Sequence, residues 1–206
     1  SFPTRRSSDL VKPGECVAIA GKNGCGKSTL MQIMAGILKP DGGELCYFGK
    51  KAAYKSSTFR RFCGYVPQEN PLMEELTVQD NLKLWGGSHN ANTKELVAQF
   101  QLEDLLQTEV SKLSGGMKRR LSIACALVEN PPFLLMDEPT TALDLYYKES
   151  IHQWMKTYQQ KNGIILMTTH DESEIRNADR CLFMDEGKVQ ELDAEDILQK
   201  FAGMSE

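Results

Sequence analysis

The residues Gly21-Lys-Asn-Gly-Cys-Gly26-Lys27-Ser28 fit the pattern G-x-x-x-x-G-K-[ST]. At ordinary glycine usage, its four fixed positions recur by chance in roughly one random chain of this length in a hundred. The chemistry of such a loop is phosphate binding. Small residues let backbone N–H groups approach phosphate oxygens, and a helix starting near Ser28 adds the positive end of its dipole. Lys27 is expected to pair with the β- and γ-phosphates of a nucleotide, and the Ser28 hydroxyl to ligate Mg²⁺. The expected nucleotide contacts are therefore Gly21, Asn23, Gly24, Cys25, Gly26, Lys27, Ser28 and Thr29.

A second constellation is Phe133-Leu-Leu-Met-Asp137-Glu138, an apolar run closing on two carboxylates. Read as a strand of a parallel sheet, it places both acids at the carboxyl edge, where a phosphate loop also lies. Asp137 is expected to hold the Mg²⁺, directly or through water. Glu138 is expected to be the base that orients and deprotonates the attacking water.

The elements that must position these groups are legible as an alternation of short apolar runs and helical segments, the mark of an α/β fold with a mostly parallel sheet flanked by helices. Strands are expected at Cys16 to Ala20, Glu44 to Phe48, Cys63 to Val66, Phe133 to Met136, Ile164 to Thr168 and Cys181 to Met184. Ser28 to Leu38 has apolar residues at 30, 33, 34, 37 and 38, the spacing of one helix face. Leu145 to Gln160 is read as a helix whose Ile151, Trp154, Met155 and Tyr158 form a core stripe. Residues 70–130 turn helical and polar, with helices at Thr77 to Trp85, Thr93 to Phe100 and Met117 to Val128, and are read as an inserted α-helical subdomain.

With 206 residues, 41% hydrophobic and 25% charged, the chain has the makeup of one globular domain. No run approaches the eighteen or so apolar residues of a membrane-spanning helix, and the start lacks a secretory profile, so a cytoplasmic location is expected. The net charge of −4 argues against nucleic acid as partner, since only Lys118, Arg119 and Arg120 cluster. Of the six cysteines, all but Cys25 lie in apolar runs and read as reduced core residues.

Leu113-Ser114-Gly115-Gly116-Met117 resembles the signature sequence of the nucleotide-binding domains of ABC transporters, which few other P-loop proteins carry. The resemblance runs from Val11 to about residue 190. It implies a P-loop NTPase fold and a role for Gln68, in Val66-Pro67-Gln68, as the loop glutamine that contacts Mg²⁺ and senses a transmembrane partner. Thr141-Ala-Leu-Asp144 is similar to the family's D-loop, with Thr141 where serine is more usual. His170 matches the switch histidine that contacts the γ-phosphate. The resemblance thus gives Glu138, His170 and Gln68 catalytic roles, adds Ser114, Gly115, Gly116 and Asp144 to the nucleotide contacts, and makes Ser28, Gln68 and Asp137 the metal ligands. A serine hydroxyl and exposed N–H groups at a helix start suit the γ-phosphate that the family binds there from the opposite subunit.

The family's architecture implies two composite sites in a head-to-tail dimer, either a homodimer or a heterodimer with a paralogous ATPase. It also implies ATP and Mg²⁺ as ligands and a transmembrane permease subunit on another chain, with this chain peripheral on the inner face of the membrane. Leu72, Met73 and Leu76 are expected either to line the groove for that permease or to belong to the core of the helical subdomain. Gln68 and Ser114 lie only 46 positions apart (114 − 68), leaving no room for the coiled coil of DNA-repair ABC proteins. A soluble translation-factor ABC ATPase, which carries two cassettes, is the alternative reading. The tail Gly116-Met117-Lys-Arg-Arg120 resembles that of ABC-2 exporters, so export is favoured.

Residues 1–10, Ser-Phe-Pro-Thr-Arg-Arg-Ser-Ser-Asp-Leu, carry no apolar periodicity. They match, residue for residue, the in-frame translation of a common short-read sequencing adapter. They are therefore expected to be non-native, with the ABC domain spanning 11–206. The family's adenine-stacking aromatic then falls upstream of Ser1, and long-read sequencing of the gene tests this.

Overall fold

The computed structural model describes residues 11–55, 57–86 and 92–203, and for Ser57, Thr58 and Arg60 the backbone alone. The expected adapter segment, 1–10, lies outside the described residues. In chain order the elements are β1 (Cys16–Gly21), α1 (Lys27–Met34), β2 (Cys46–Tyr47), β3 (Lys50–Lys51), α2 (Ser57–Phe62), β4 (Cys63–Val66), α3 (Val78–Gly86) and α4 (Asn92–Gln99). There follow α5 (Gly115–Leu127), β5 (Phe133–Asp137), α6 (Leu145–Gln160), β6 (Ile164–Thr168), α7 (Glu172–Asn177), β7 (Arg180–Asp185), β8 (Lys188–Glu191) and α8 (Ala194–Ala202).

Six strands form one sheet in the order β4-β5-β6-β1-β7-β8, parallel except for the β7–β8 hairpin. A parallel sheet is buried on both faces, and the strands alternate accordingly. Val17, Ile19, Phe133, Leu135, Ile164 and Leu166 face one cluster with Met31, Tyr47 and Phe59. Ala18, Leu134, Met136, Ile165 and Met167 face the other, with Leu82, Leu121, Ile151 and Trp154. The stripe on α6 is core, as its spacing implies: Ile151, Trp154 and Met155 are buried, and half-buried Tyr158 donates its hydroxyl to the Pro131 carbonyl at 2.6 Å.

Two elements differ from the sequence reading. α1 ends at Met34, four residues short of Leu38, because Gly36 takes φ +72° and the N–H groups of Ile37 and Leu38 both turn back to the Gln32 carbonyl. Ile37 and Leu38 are consequently exposed and do not extend the helix face. The expected strand Glu44 to Phe48 shrinks to Cys46–Tyr47, since Phe48 and Gly49 both take positive φ and turn the chain into an antiparallel pair with β3.

Candidate nucleotide site

Strand register alone gathers the site. Asp137 lies beside Thr168, and Thr168 beside Ile19, so the carboxyl ends of β5, β6 and β1 form one row across the sheet. The phosphate loop leaves β1 at that row, Glu138 follows β5, and His170 follows β6. Gln68 joins them two residues beyond Val66, whose partner on β5 is Met136.

Within the loop, Gly21 has no room for a side chain: a Cβ there would stand 2.2 Å from the Met184 carbonyl oxygen of the neighbouring strand. Gly26, at φ +107°, turns the chain into α1 in a conformation that side chains rarely adopt. Lys27 opens the helix. It is buried, and its ammonium donates to the carbonyls of Gly21 at 2.7 Å and Lys22 at 3.0 Å, so it lies folded along the loop that would embrace phosphates. Asn23, Gly24, Ser28 and Thr29 are exposed, and Cys25 and Gly26 half-buried.

Asp137 is buried and accepts a hydrogen bond from the Thr168 hydroxyl. Glu138 stands at φ +47°, a sparsely populated conformation for a residue with a side chain. It is held there by its N–H, which donates to both the carbonyl (3.1 Å) and the hydroxyl (3.0 Å) of Thr168. Its carboxylate collects the site: Gln68 Nε2 donates to Oε2 at 3.0 Å, the Thr141 hydroxyl to the same oxygen at 3.1 Å, and His170 Nε2 lies 3.3 Å from Oε1. Partial burial and the Lys27 ammonium push His170 below the usual histidine value, opposed by Glu138. The ring of Phe201, on α8, lies 5.7 Å from the imidazole, a neighbour the sequence did not reveal.

The signature residues Ser114 to Gly116 lie at the start of α5. Ser114 caps α5 by accepting from the Met117 N–H at 3.3 Å; Ser114 and Gly115 are exposed and Gly116 is buried. Asp144, also exposed, caps α6 through the Tyr147 N–H at 3.1 Å. Among the described residues, none of these four hydrogen-bonds to Glu138. Of the three residues expected in a permease groove or in the subdomain core, Met73 and Leu76 are exposed, whereas half-buried Leu72 packs against the core. The segment is fixed by buried Asn81, whose amide exchanges hydrogen bonds with both the N–H (2.9 Å) and the carbonyl (3.0 Å) of Met73.

The Lys118-Arg119-Arg120 cluster is consumed inside the chain. Lys118 pairs with Glu74 at 2.6 Å, Arg119 is buried against loop carbonyls, and Arg120 reaches Gln101 and lies over the Tyr147 ring. Ser28, Asp137 and Gln68 offer only oxygen donors toward a metal, a hard set that suits Mg²⁺ completed by substrate phosphates and water.

A phosphate loop between strand and helix, followed across the sheet by paired carboxylates, defines a P-loop nucleotide-binding fold. The chain belongs to the ABC transporter family, whose model matches residues 6–141. It is 35% identical over 203 residues to the Nod factor export ATP-binding protein I of Rhizobium etli, covering 94% of this chain and 64% of that protein. The chain thus spans under two thirds of that relative's length. Among solved structures it resembles a dimeric ATP-binding cassette in a post-hydrolysis state bound to ADP and Pi, with TM-score 0.80 and 30% identity over 90% of this chain and 88% of that one. A bacterial Atm1-family ABC exporter with ATP bound matches at TM-score 0.80 and 30% identity, over 93% of this chain and 36% of the exporter. Among the described residues, no helix is long and apolar enough to cross a membrane.

Proposed function

We propose that this chain binds Mg²⁺-ATP and hydrolyses it as the ATP-binding subunit of an ABC exporter. The observation that carries this reading is the Glu138 carboxylate, held by Gln68, Thr141 and His170 at the sheet edge where the phosphate loop begins. Export is supported by the likeness to the Nod factor export ATP-binding protein of Rhizobium etli and to the Atm1-family exporter.

On ATP binding, the Lys27 ammonium would exchange the carbonyls of Gly21 and Lys22 for the β- and γ-phosphates. Bound Mg²⁺, held by Ser28, Asp137 and Gln68, would supply neutralisation of the phosphate charge. Glu138 would take the proton of a water attacking the γ-phosphorus, while His170 steadies the γ-phosphate and the Glu138 carboxylate together. Ser114, Gly115, Gly116 and Asp144 would complete the site of a second ATPase subunit. Residues 70–130 form the helical subdomain, and exposed Met73 and Leu76 would dock a permease on another chain, keeping this one at the cytoplasmic face of the membrane.

The test is phosphate release from Mg²⁺-ATP against protein concentration. Composite sites require specific activity to rise with concentration and to vanish in Lys27→Ala. Absence of turnover across the range, or full activity in Lys27→Ala, would overturn the reading.

A further inference from the structure

Arg119 is 4% exposed, and all its hydrogen bonds go to backbone carbonyls. Nε donates to Pro139 at 2.9 Å, Nη1 to Pro67 at 2.5 Å and Gln68 at 3.5 Å, and Nη2 to Asp137 at 2.9 Å and Glu138 at 3.2 Å. The bonds fall where the sheet stops. Val66 and Met136 are the last pair of the β4–β5 ladder, and Pro67 has no N–H with which to continue it. Beyond that pair, the peptides bearing Gln68 and Glu138 are bridged by the Arg119 fork.

Stability alone would not call for this arrangement. Burying a guanidinium costs free energy unless every N–H is matched, and an apolar side chain of similar volume serves a core as well or better. Burial here pulls the Arg119 pKa down to about 10, which leaves it charged at neutral pH. What an apolar residue cannot supply is the planar fork of five donors that reaches two loops at once. Arg119 also sits about one turn past Gly115 on α5, so the same helix presents the signature and grips the two loops.

We propose that Arg119 is a positioning residue that holds Gln68 and Glu138 in register with each other and with the signature helix. The proposal rests on the ATPase reading above. Its test uses Arg119→Lys, whose ammonium keeps the charge but has three N–H groups and no fork, and Arg119→Gln, which keeps a planar donor without charge. Steady-state kinetics, thermal melting and size-exclusion chromatography with Mg²⁺-ATP are compared with the unmodified chain. Both variants are expected to fold and to associate with ATP. Their kcat should fall about ten- to a hundredfold, the size of effect a displaced catalytic group produces, with KM little changed. An unchanged kcat in folded variants overturns the proposal, as does a loss confined to KM. Failure of both variants to fold assigns Arg119 to the fold and overturns it too. An unmodified chain without turnover would instead sink the ATPase reading itself.

Discussion

The Gln68 carboxamide donates to the Glu138 carboxylate at 3.0 Å, across seventy positions of sequence. The contact exists because Val66 and Met136 are paired on adjacent parallel strands, so residues two beyond each strand partner arrive together at the sheet edge. A glutamine placed there can donate to the Glu138 carboxylate and hold its direction.

Replacing Glu138 by glutamine preserves size and hydrogen bonding but removes the proton acceptor. Glu138→Gln is expected to bind ATP as the unmodified chain does, to lose turnover, and to accumulate as an ATP-bound dimer. Size-exclusion chromatography with Mg²⁺-ATP reads the dimer, and phosphate release reads the turnover. Retained turnover would show that another group takes the proton.

His170 gives a charge-specific test. Burial and the Lys27 ammonium lower its pKa, while Glu138 raises it, so in the nucleotide-free protein the ring should titrate below the ordinary value of about 6.5. NMR titration of the imidazole should move up in Lys27→Ala and down in Glu138→Gln. The sign for stability follows from linkage. Below the unfolded value the unfolded chain binds more protons, so His170 opposes folding increasingly as pH falls through the window between its two pKa values. A titration at or above the ordinary value, or no response to either substitution, would contradict the geometry.

The strand ends that carry Glu138 and His170 were more legible in the sequence than the fold around them. Glu138 and His170 follow strands whose apolar runs are unmistakable, and Lys27 sits in a spacing chance rarely produces. Arg119 escaped because its neighbours Lys118 and Arg120 make it look like one member of a surface charge cluster. Arg120 is as buried as Arg119, and only the partners distinguish them: Arg119 donates to the carbonyls of two loops, whereas Arg120 reaches the Gln101 side chain. The end of α1 was misplaced because Ile37 and Leu38 continue the helical spacing, and the Gly36 cap outweighs two further apolar positions. β2 was read, but as part of a longer strand, and β3 was missed because the two residues Lys50–Lys51 carry no period to read.

The signature offers a paired test of packing. A Cβ on Gly116 would stand 2.3 Å from the Tyr147 ring, whereas one on Gly115 meets nothing within 4 Å. Gly116→Ala should therefore cost about 1–3 kcal/mol of stability from overpacking. Gly115→Ala should be neutral or gain up to about 1 kcal/mol from helix propensity. Denaturant unfolding measures both. In a Tyr147→Ala background the Gly116→Ala penalty should shrink, and an undiminished penalty would place its cause outside that contact.

Cys25 is the cysteine of the phosphate loop, half-buried, with Sγ 3.0 Å from where a Cβ on Gly21 would stand. Its sulfur thus lies against the residue whose carbonyl anchors the Lys27 ammonium. Burial pushes the thiols of Cys16, Cys63 and Cys125 up to about 12 and raises that of Cys181, which suppresses the thiolate that alkylating reagents attack. Limiting maleimide should therefore modify Cys25 ahead of those four. An adduct on Cys25 occupies the volume the phosphates need, so labelling is expected to stop turnover, and bound Mg²⁺-ATP is expected to block labelling. Cys46, half-buried in β2 and away from the loop, is the internal control: its modification should be indifferent to nucleotide and to activity. Cys25→Ala should keep turnover and lose the sensitivity. Mass spectrometry of the labelled protein decides the matter, and equal labelling of Cys25 with and without ATP would show that the nucleotide does not cover this loop.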